Sequence, residues 1–207
     1  AVKANKDVKG LILPDTSITP VRDIDDAVFL AERFGIEYKV IDILPFVERF
    51  SEVLPEDKIA LGNLRARLRM MLLYYYANHE GRKVLGTGDR SELLIGYFTK
   101  YGDGGVDLLP IGCLYKTEVR ALAKEVGVPE WIAEKKSSPR LWRDHMAEEE
   151  IGLKYEVIDR ILIALFDRKM EPEEVKRELG LGWEVDHVLK MHNASEHKRK
   201  MPPIPEL

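Results

Sequence analysis

Two short apolar runs near the start of the chain flank a segment with helical spacing, and this pattern constrains the fold more than any other. The runs cover residues 9–13 (KGLIL) and 38–43 (YKVIDI), and both are rich in branched side chains. Between them, residues 23–34 place apolar side chains on one helical face, and Gly35 follows as a helix stop. A strand, a crossover helix and a second strand favour parallel pairing. We therefore predict an α/β fold with a parallel sheet flanked by helices.

The size and charge of the chain limit its possible functions. Its 207 residues suffice for one sizeable core, so we predict a single domain over residues 1–207. The formal net charge is only -4, which argues against nucleic-acid binding through a broad basic face. No apolar run approaches the roughly 20 residues that span a bilayer, so no membrane insertion is expected. A single cysteine, Cys113, excludes an internal disulfide framework. We expect a cytoplasmic protein in which Cys113 is buried.

The alternation of strands and helices continues past these runs, and the second half of the chain is mainly helical. Residues 63–79 have helical spacing and are apolar on nearly every side after the first turn. This is typical of a buried core helix, and a subunit interface is the alternative that stays open beside it. Residues 82–86 predict another strand. Further helices are predicted over residues 117–126, 155–166, 172–179 and 184–194, and the proline-rich end from Pro202 predicts an extended, packed tail.

A glycine-rich segment from Gly86 to Gly112, GTGDRSELLIGYFTKYGDGGVDLLPIG, carries most of the residues that could perform chemistry. Its glycines permit conformations that other residues avoid and let the backbone approach a ligand closely. Its acids and its lysine offer charges suited to a phosphate, a metal ion or an amine. The segment follows a predicted strand, and ligands bind at the carboxyl ends of strands in open α/β sheets. We interpret it as a binding loop.

This segment resembles the signature of ammonia-dependent NAD synthetases, a family of ATP pyrophosphatases. The resemblance continues over three further stretches, Leu114 to Ile132, Glu148 to Asp159 and Asn193 to Glu206, so it covers most of the chain. It implies a Rossmann-like, three-layer fold of the adenine nucleotide alpha-hydrolase-like type, with a helical C-terminal part. It also implies a homodimer that forms through helices of the kind predicted at residues 63–79.

The reaction implied by this resemblance is amidation of deamido-NAD (nicotinic acid adenine dinucleotide) with ammonia. ATP is the co-substrate and is cleaved to AMP and pyrophosphate through an adenylated intermediate, with Mg²⁺ as the implied cofactor. Glutamine-using relatives carry an added amidase domain, for which 207 residues leave no room. We therefore expect free ammonia, or ammonia from a separate supplying protein. The alternatives are another ATP pyrophosphatase, similar to GMP synthetases or RNA-thiolating enzymes, and a non-catalytic nucleotide-binding module.

By resemblance, Thr87, Lys116 and Ser138 contact ATP and Glu92 binds magnesium. These residue types suit the roles, because Mg²⁺ takes oxygen ligands and a fixed ammonium stabilises charge on phosphates. By themselves, Asp89 and Glu92 are also typical of acids at a helix start, where the helix dipole favours them. An isolated lysine is ordinarily solvated, and a serine in such a sequence is ordinarily part of a loop.

The resemblance also implies that five residues contact deamido-NAD: Arg67, Lys100, Asp107, His197 and Lys198. Arg67 has arginines on both sides at alternate positions and precedes the apolar run, so at least one guanidinium is expected against an anion. The alternative is a solvated basic face on the helix and a charged tail at the C-terminus.

Asp103, in the sequence Gly-Asp-Gly-Gly, has two interpretations of equal weight. It can be a turn-former, because Asp-Gly pairs favour turns. It can also be the catalytic residue that holds or deprotonates ammonium, since the attacking nucleophile must be neutral ammonia and its base must be close.

Two features depart from the family pattern. The family has a Ser-Gly-Gly-x-Asp-Ser phosphate loop after an N-terminal strand, and this sequence contains no such motif, so we expect an upstream segment to be missing. Before Glu148 the family commonly has Gly-Gln-Thr-Asp, whereas residues 144–147 here are Asp-His-Met-Ala. The resemblance therefore assigns no phosphate or metal contact to that loop.

Overall fold

The computed structural model describes residues 1–4 and 7–205, and its first part is the predicted βαβ unit. Strands β1 (Lys9–Ile12) and β2 (Glu37–Val40) pair in parallel, with Lys9 opposite Glu37 and Ile12 opposite Val40. Helix α1 (Val21–Arg33) connects them. The second strand ends earlier than predicted, because the Asp42 side chain accepts a hydrogen bond from the Leu44 backbone at 3.0 Å and so begins the next helix.

The third predicted strand, residues 82–86, forms only a single parallel bridge, between Leu85 and Leu108. The Gly86 N–H donates to the Leu108 carbonyl at 2.8 Å beside it. Within the described part of the chain, the regular sheet therefore consists of β1 and β2. The binding loop nevertheless follows the end of this extended segment, as predicted.

Helices α2 (Leu44–Ser51) and α3 (Lys58–Glu80) come next, and α3 starts five residues before the predicted helix. The Asp57 side chain accepts a hydrogen bond from the Ala60 N–H at 2.8 Å, which satisfies an otherwise unpaired amide in the first helical turn. Gly81 ends the helix with a φ of 65°, a conformation that favours glycine.

The prediction that the apolar helix is buried all round is wrong for part of its surface. Ala66 and Leu68 of α3 are buried, but Met71 is 57% exposed and Tyr75 is 66% exposed. The two exposed residues are four positions apart, so they share one face of the helix. The interpretation of the apolar pattern on that face as a subunit interface stays a prediction.

The second half of the chain is a set of packed helices, as predicted. Their bounds are α4 Arg90–Ile95, α5 Lys116–Glu125, α6 Glu130–Ala133, α7 Ala147–Ile151, α8 Tyr155–Leu162, α9 Pro172–Leu179, α10 Trp183–Ala194 and α11 Glu196–Arg199. The helix predicted over residues 155–166 changes to a π-helical turn at Ile163–Asp167. The larger hydrophobic core lies here, around Tyr155, Ile158 and Ile161, all with 0% exposure. This core supports the helices that carry the site.

Two smaller predictions were wrong. Cys113 is exposed, because it lies in a surface turn. The tail does not pack: residues 201–205 have no regular secondary structure and are exposed. Glu206 and Leu207, which belonged to the predicted tail, lie outside the described residues.

Candidate active site

Helix α4 begins with a pair of acids that cap each other. The Asp89 side chain accepts a hydrogen bond from the Glu92 N–H at 3.0 Å, and the Glu92 side chain accepts one from the Asp89 N–H at 3.2 Å. This capping box satisfies two amide groups at the helix start. The interpretation of these acids as helix-start residues is therefore confirmed, but it does not account for all their contacts.

The Lys116 ammonium lies between the same two carboxylates. Its Nζ is 2.5 Å from Asp89 Oδ2 and 2.6 Å from Glu92 Oε1. The Lys116 Nζ also lies 5.1 Å from the centroid of the Tyr155 ring, which is fully buried. Two carboxyl groups and one ammonium thus share a largely buried site, with a single cation for two acids.

Burial and charge perturb this cluster strongly. Burial raises the pKa of Glu92, and the neighbouring Asp89 carboxylate raises it further, while Lys116 opposes both effects. For Lys116, burial opposes the charged form, but the carboxylates of Glu92 and Asp89 outweigh it and raise the pKa of the ammonium. The ammonium therefore stays charged, and a carboxylate that is hard to ionise lies beside it. Such perturbed groups are concentrated at functional sites.

A second cluster joins α3, the glycine-rich loop and the C-terminal segment. Arg67 Nη2 on α3 donates to the Lys100 carbonyl at 3.3 Å. The Lys100 ammonium in turn donates to the His197 carbonyl at 2.5 Å. Three of the residues predicted to contact deamido-NAD therefore lie together, although they come from distant parts of the sequence.

Lys198 holds the start of the same loop. Its ammonium donates to the carbonyls of Gly96 and Phe98 at 2.8 and 2.7 Å. Burial lowers the pKa of Lys198, and the nearby Asp103 carboxylate opposes that shift. In the structure this lysine is thus bound to backbone carbonyls, and its contact with a dinucleotide stays a prediction.

The Asp103 side chain stabilises the glycine-rich turn by a hydrogen bond within it. Its Oδ1 accepts a hydrogen bond from the Thr99 N–H at 2.8 Å, and the Thr99 hydroxyl donates to Asn63 Oδ1 at 2.8 Å. The residue as a whole is exposed, yet its carboxyl group lies among enough protein atoms that burial raises its pKa. The turn-forming role is confirmed, and the role as a base for ammonium stays a prediction.

Asp107 ties the loop to the preceding extended segment. Its Oδ2 accepts a hydrogen bond from the Val84 N–H at 2.8 Å, and its own N–H donates to the Val84 carbonyl at 3.0 Å. These reciprocal bonds lie next to the bridge between Leu85 and Leu108. Asp107 therefore has a structural role that its sequence context did not indicate.

The two predicted hydroxyl contacts to ATP lie in different surroundings. Thr87 is exposed at the end of the extended segment. Ser138 uses its hydroxyl inside its own loop, where it donates to the His145 carbonyl and accepts from the Arg140 N–H at 3.3 Å. The structure does not bring Ser138 into hydrogen bonding with the Lys116 cluster.

The loop of residues 134–146 is attached to α1 and to α7. Arg140 Nε lies 2.6 Å from Asp23 Oδ2, and Lys135 Nζ lies 2.5 Å from Asp23 Oδ1. His145 is buried, stacks on Trp142 at 3.6 Å between ring centroids, and contacts Glu150 Oε2 through Nε2 at 2.7 Å. The departure from the family pattern at residues 144–147 is therefore a packed structural feature.

A cavity of about 400 Å³ lies beside the second cluster. Aromatic rings and ammonium groups line it, which suits a ligand with flat bases and phosphates. Its lining residues are Phe98, Lys100, Tyr101, Gly104, Lys198, Arg199, Lys200, Met201 and Pro202.

The described residues contain no group of three or more His, Cys, Asp or Glu side chains arranged to hold a metal ion. A magnesium ion that shares its ligands with a nucleotide does not need such a group, because Mg²⁺ commonly takes one or two carboxylates, phosphate oxygens and water. In the same ranges of the chain, no helix has the length and apolar content needed to cross a membrane.

Comparison with known proteins decides the family. The NAD synthase family matches residues 1–202. The chain belongs to the NAD synthase family. A curated relative from Hyperthermus butylicus, an NH(3)-dependent NAD(+) synthetase, is 60% identical over 199 residues, which are 95% of this chain and 72% of the relative.

Solved structures of NAD synthase relatives have the same fold. The NMN synthetase from Francisella tularensis superposes with a TM-score of 0.83 at 36% identity, over 96% of this chain and 79% of that one. An NH3-dependent NAD synthetase from Campylobacter jejuni gives a TM-score of 0.81 at 31% identity, over 99% and 81% of the two chains. The predicted fold class is thereby confirmed.

Sequence reasoning missed two residues beside the Lys116 cluster, Ser91 and Asp159. Both are buried, and they hydrogen-bond to each other at 2.5 Å. A signal for Asp159 was present, because it is an acid among the apolar residues Ile158, Ile161 and Leu162 of one short helix. Charged residues are rarely fully buried without a specific partner.

Proposed function

We propose that this chain is an ammonia-dependent NAD synthetase, a ligase that forms the carbon–nitrogen bond of the nicotinamide group. It amidates deamido-NAD with ammonia and cleaves ATP to AMP and pyrophosphate. The observation that carries the proposal, together with family membership, is the Lys116 ammonium held at 2.5 and 2.6 Å from Asp89 and Glu92 beside the glycine-rich loop. Such a site supplies a fixed positive charge and oxygen ligands at one place.

The chemistry requires activation of a carboxylate. A nicotinate carboxylate is a poor electrophile, and its attack on the α-phosphorus of ATP forms an acyl adenylate and releases pyrophosphate. Ammonia then attacks the acyl carbon, and AMP leaves with the electron pair of the broken carbon–oxygen bond. Negative charge develops on the phosphates in the first step, and Lys116 is placed to stabilise it within a shielded site.

We infer that Glu92 is the magnesium ligand, with Asp89 beside it. The carboxylate oxygens of Asp89 and Glu92 both lie within 2.6 Å of one ammonium, so they converge on one place, and oxygen ligands of this kind suit Mg²⁺. When bound, Mg²⁺ neutralises charge on the ATP phosphates. In this arrangement Lys116 moves from the carboxylates to a phosphate oxygen, and Thr87 and Ser138 complete the ATP contacts.

The second cluster binds the dinucleotide in this proposal. Arg67 and Lys100 supply positive charge for its phosphates, and the aromatic cavity next to Lys100 receives a base. Asp107, His197 and Lys198 border the same loop and the same C-terminal segment. Their present contacts with backbone groups hold the loop in the conformation that a ligand would meet.

Asp103 acts on ammonium in this proposal. Burial raises the pKa of its carboxyl group, which makes it a better proton acceptor than an ordinary aspartate. Asp103→Asn should raise the KM for ammonium, whereas Asp25→Asn, at an exposed position on α1, should leave it unchanged. Full activity of Asp103→Asn at low ammonium would contradict this role.

We further propose a homodimer and a cytoplasmic location. Met71 and Tyr75 expose an apolar face of α3, and His79, which stacks on Tyr75, extends that face by another turn. The location follows from the substrates, since ATP and deamido-NAD are intracellular metabolites. Sedimentation of the wild type and of Tyr75→Glu tests the dimer, and an unchanged mass for the variant would contradict this face as the interface.

Product analysis tests the reaction. The purified protein is incubated with deamido-NAD, ATP, Mg²⁺ and ammonium, and the nucleotides are separated by chromatography. Equal yields of NAD, AMP and pyrophosphate are expected, and omission of ATP should abolish all three. Release of ADP and phosphate, or the absence of NAD, would overturn the proposal.

Replacing deamido-NAD by nicotinate mononucleotide in the same assay tests which of the two substrates the chain prefers. The Francisella tularensis relative is an NMN synthetase, and amidation that yields NMN starts from nicotinate mononucleotide. We expect this chain to prefer the dinucleotide, because aromatic rings and ammonium groups line the cavity beside Lys100. A higher kcat/KM with the mononucleotide would reassign the substrate and leave the ligase chemistry in place.

A further inference from the structure

Helix α5, whose first residue is Lys116, begins with amides that neighbouring helices satisfy. The Lys116 N–H donates to Ser91 Oγ on α4 at 2.9 Å. The next amide, that of Thr117, donates to Asp159 Oδ2 on α8 at 2.9 Å. The first amides of a helix have no partner within the helix, so these two bonds fix where α5 starts.

The two acceptors are themselves connected. The Ser91 hydroxyl donates to Asp159 Oδ1 at 2.5 Å, so Ser91 accepts from the Lys116 N–H and donates to the carboxylate at the same time. Ser91 has 0% exposure and Asp159 has 2%. One buried carboxylate therefore joins α4, α5 and α8 through hydrogen bonds that water does not reach.

The hydrogen bonds of Ser91 and Asp159 link the two helices that carry the charged cluster, α4 with its two carboxylates and α5 with Lys116. Ser91 is the residue before Glu92 on α4, and Lys116 is the first residue of α5. A shift of α5 relative to α4 would change the distance between the Lys116 ammonium and both carboxylates of α4. The hydrogen bonds of Asp159 to the Ser91 hydroxyl and to the Thr117 N–H resist such a shift, because moving α5 would leave an oxygen of a buried carboxylate without its partner.

Burial of this carboxylate is unfavourable by itself. Burial raises the pKa of Asp159, and the hydrogen bonds from Ser91 and Thr117 oppose the shift. Its neighbours Ile158, Ile161 and Leu162 are fully buried and apolar. An apolar side chain would pack here without a desolvation cost, so the contribution of Asp159 lies in the hydrogen bonds that it accepts from Ser91 and Thr117.

We propose that Asp159, acting through Ser91, is a positioning residue that sets the place of the Lys116 ammonium against the carboxylates of α4. The inference rests on the proposed function, in which Lys116 contacts ATP. It deepens that function, because it assigns a role to a residue that touches neither substrate nor metal.

Steady-state kinetics of Asp159→Asn test the proposal. An asparagine has one acceptor oxygen and one NH2 donor, so it cannot accept from both the Ser91 hydroxyl and the Thr117 N–H, and the negative charge of the acceptor is lost without a change of size. We expect the KM for ATP to rise about tenfold, since small misplacements of a catalytic group have large kinetic effects. The KM for ammonium should stay unchanged.

The matched control is Ile161→Val on the same helix. Ile161 is fully buried in the same core and lies two residues from Asp159, but it makes no hydrogen bond to α5 through its side chain. This variant should lower the melting temperature and leave the KM for ATP unchanged. A general loss of stability reduces the active fraction, and therefore the apparent kcat, whereas misplacement of Lys116 changes the KM for ATP.

Ser91→Ala provides the second variant, and it carries the same test if Asp159→Asn does not fold. We expect its KM for ATP to rise as well. When Ser91→Ala is combined with Asp159→Asn, the KM for ATP should rise by less than the product of the two single effects, because both residues act through one connection. If the KM for ATP in the double variant rises by the full product of the two single effects, Ser91 and Asp159 act independently and the proposal is contradicted.

Hydrogen exchange separates failure of this inference from failure of the proposed function. The amides of Lys116 and Thr117 should exchange faster in Asp159→Asn than in wild type or in Ile161→Val, whatever reaction the enzyme performs. Unchanged exchange would overturn the inference, and so would an unchanged KM for ATP in a wild type that makes NAD. A wild type without NAD formation would overturn the proposed function alone.

Discussion

Three acids in or next to the N-terminal βαβ unit and three acids at or beside the site have pKa values that are shifted in opposite directions. In the first region, Asp15, Asp23 and Asp42 are held as carboxylates. Burial opposes the ionised form in each case, but hydrogen bonds and cations outweigh it and lower the pKa: Ser17 and Arg65 act on Asp15, Lys135 and Arg140 on Asp23. These acids have strong, specific partners.

In the second region, Glu92, Asp103 and Asp159 have raised pKa values because burial outweighs the partners that they have. The opposite direction of the pKa shifts indicates two different roles for a carboxylate. Where the cation or the amide partners are sufficient, the acid stabilises the fold. Where partners are too few for the degree of burial, the carboxyl group ionises less readily. We propose that Glu92 and Asp103 use this to interact with a cation or a proton, whereas the oxygens of Asp159 hold Ser91 and Thr117.

The largest expected effect is on stability, at Asp15. Its carboxylate is fully buried, and Arg65 Nε lies 2.6 Å from Oδ2. Asp15→Asn leaves the buried Arg65 without a counter-charge and should lower the free energy of unfolding by about 3 kcal/mol. Denaturant titration measures this.

The matched control for Asp15 is Glu52→Gln, whose partner Arg49 is 79% exposed. An exposed ion pair contributes little, so the change in unfolding free energy should stay below about 1 kcal/mol. Equal losses for the two variants would mean that the partners of Asp15 do not stabilise the fold in the way its lowered pKa indicates.

Lys116→Ala should have the next largest effect, and on catalysis. Without the ammonium, the phosphates of ATP lose a fixed positive charge and two buried carboxylates face each other. We expect kcat to fall about a hundredfold, as for loss of one preorganised donor in other active sites. The control is Lys124→Ala, on the same helix but 42% exposed and paired with Glu134. An equal loss in both variants would contradict the special role of Lys116.

Lys100→Ala should have a smaller effect, because this lysine is only partly shielded and donates to the His197 carbonyl. One ammonium about 4 Å from a phosphate in a solvated site is worth about 1 kcal/mol. The KM for deamido-NAD should therefore rise about fivefold at that energy. The KM for ATP should not change, and Lys83→Ala, at an exposed position, should leave both constants as in wild type. A rise in the KM for ATP alone would mean that Lys100 contacts ATP and not deamido-NAD.

The smallest effect is on the pH dependence of stability, and its sign differs between the regions. An acid with a lowered pKa in the folded state gives stability above its unfolded pKa, and that stability is lost as the pH falls through the folded pKa. An acid with a raised pKa binds more protons when folded, so stability decreases as the pH rises from about 4 through the raised pKa.

Asp159→Asn should accordingly reduce the decline in stability above pH 4, by less than about 1 kcal/mol per pH unit. Asp15→Asn should instead reduce the loss of stability below pH 4. Unfolding free energies of both variants and of wild type, measured from pH 3 to 8, check the two slopes. Identical slopes in the two variants would remove the distinction between the regions.

Local patterns in the sequence predicted much of this molecule. The βαβ unit followed from two branched runs and a helical spacing, and α9 has the predicted bounds, because Pro172 starts it and Gly180 ends it. The binding loop was predicted from its glycines, its charged residues and its place after a predicted strand, and the family resemblance supplied the roles expected of its residues. The predicted strand at residues 82–86 was reduced to one bridge, since a strand needs partners that a local pattern does not reveal.

Burial was less predictable than secondary structure. The sequence of α3 is apolar on nearly every side, yet the exposed face around Met71 and Tyr75 depends on which neighbours pack against the helix. Cys113 has apolar neighbours in sequence but lies in an exposed turn. Hydrophobicity indicates a tendency toward burial, whereas the tertiary arrangement decides which face has a partner.

The sequence by itself determined the fold class, the family, the helical nature of the second half and the chemical types available at the site, because these depend on local spacing and on a long motif. Only the tertiary structure decided that Lys116 lies between Asp89 and Glu92 and that Asp159 fixes the start of α5. These contacts join residues 24 to 42 positions apart. Their distances follow from how three helices pack around a common core, which no local pattern encodes.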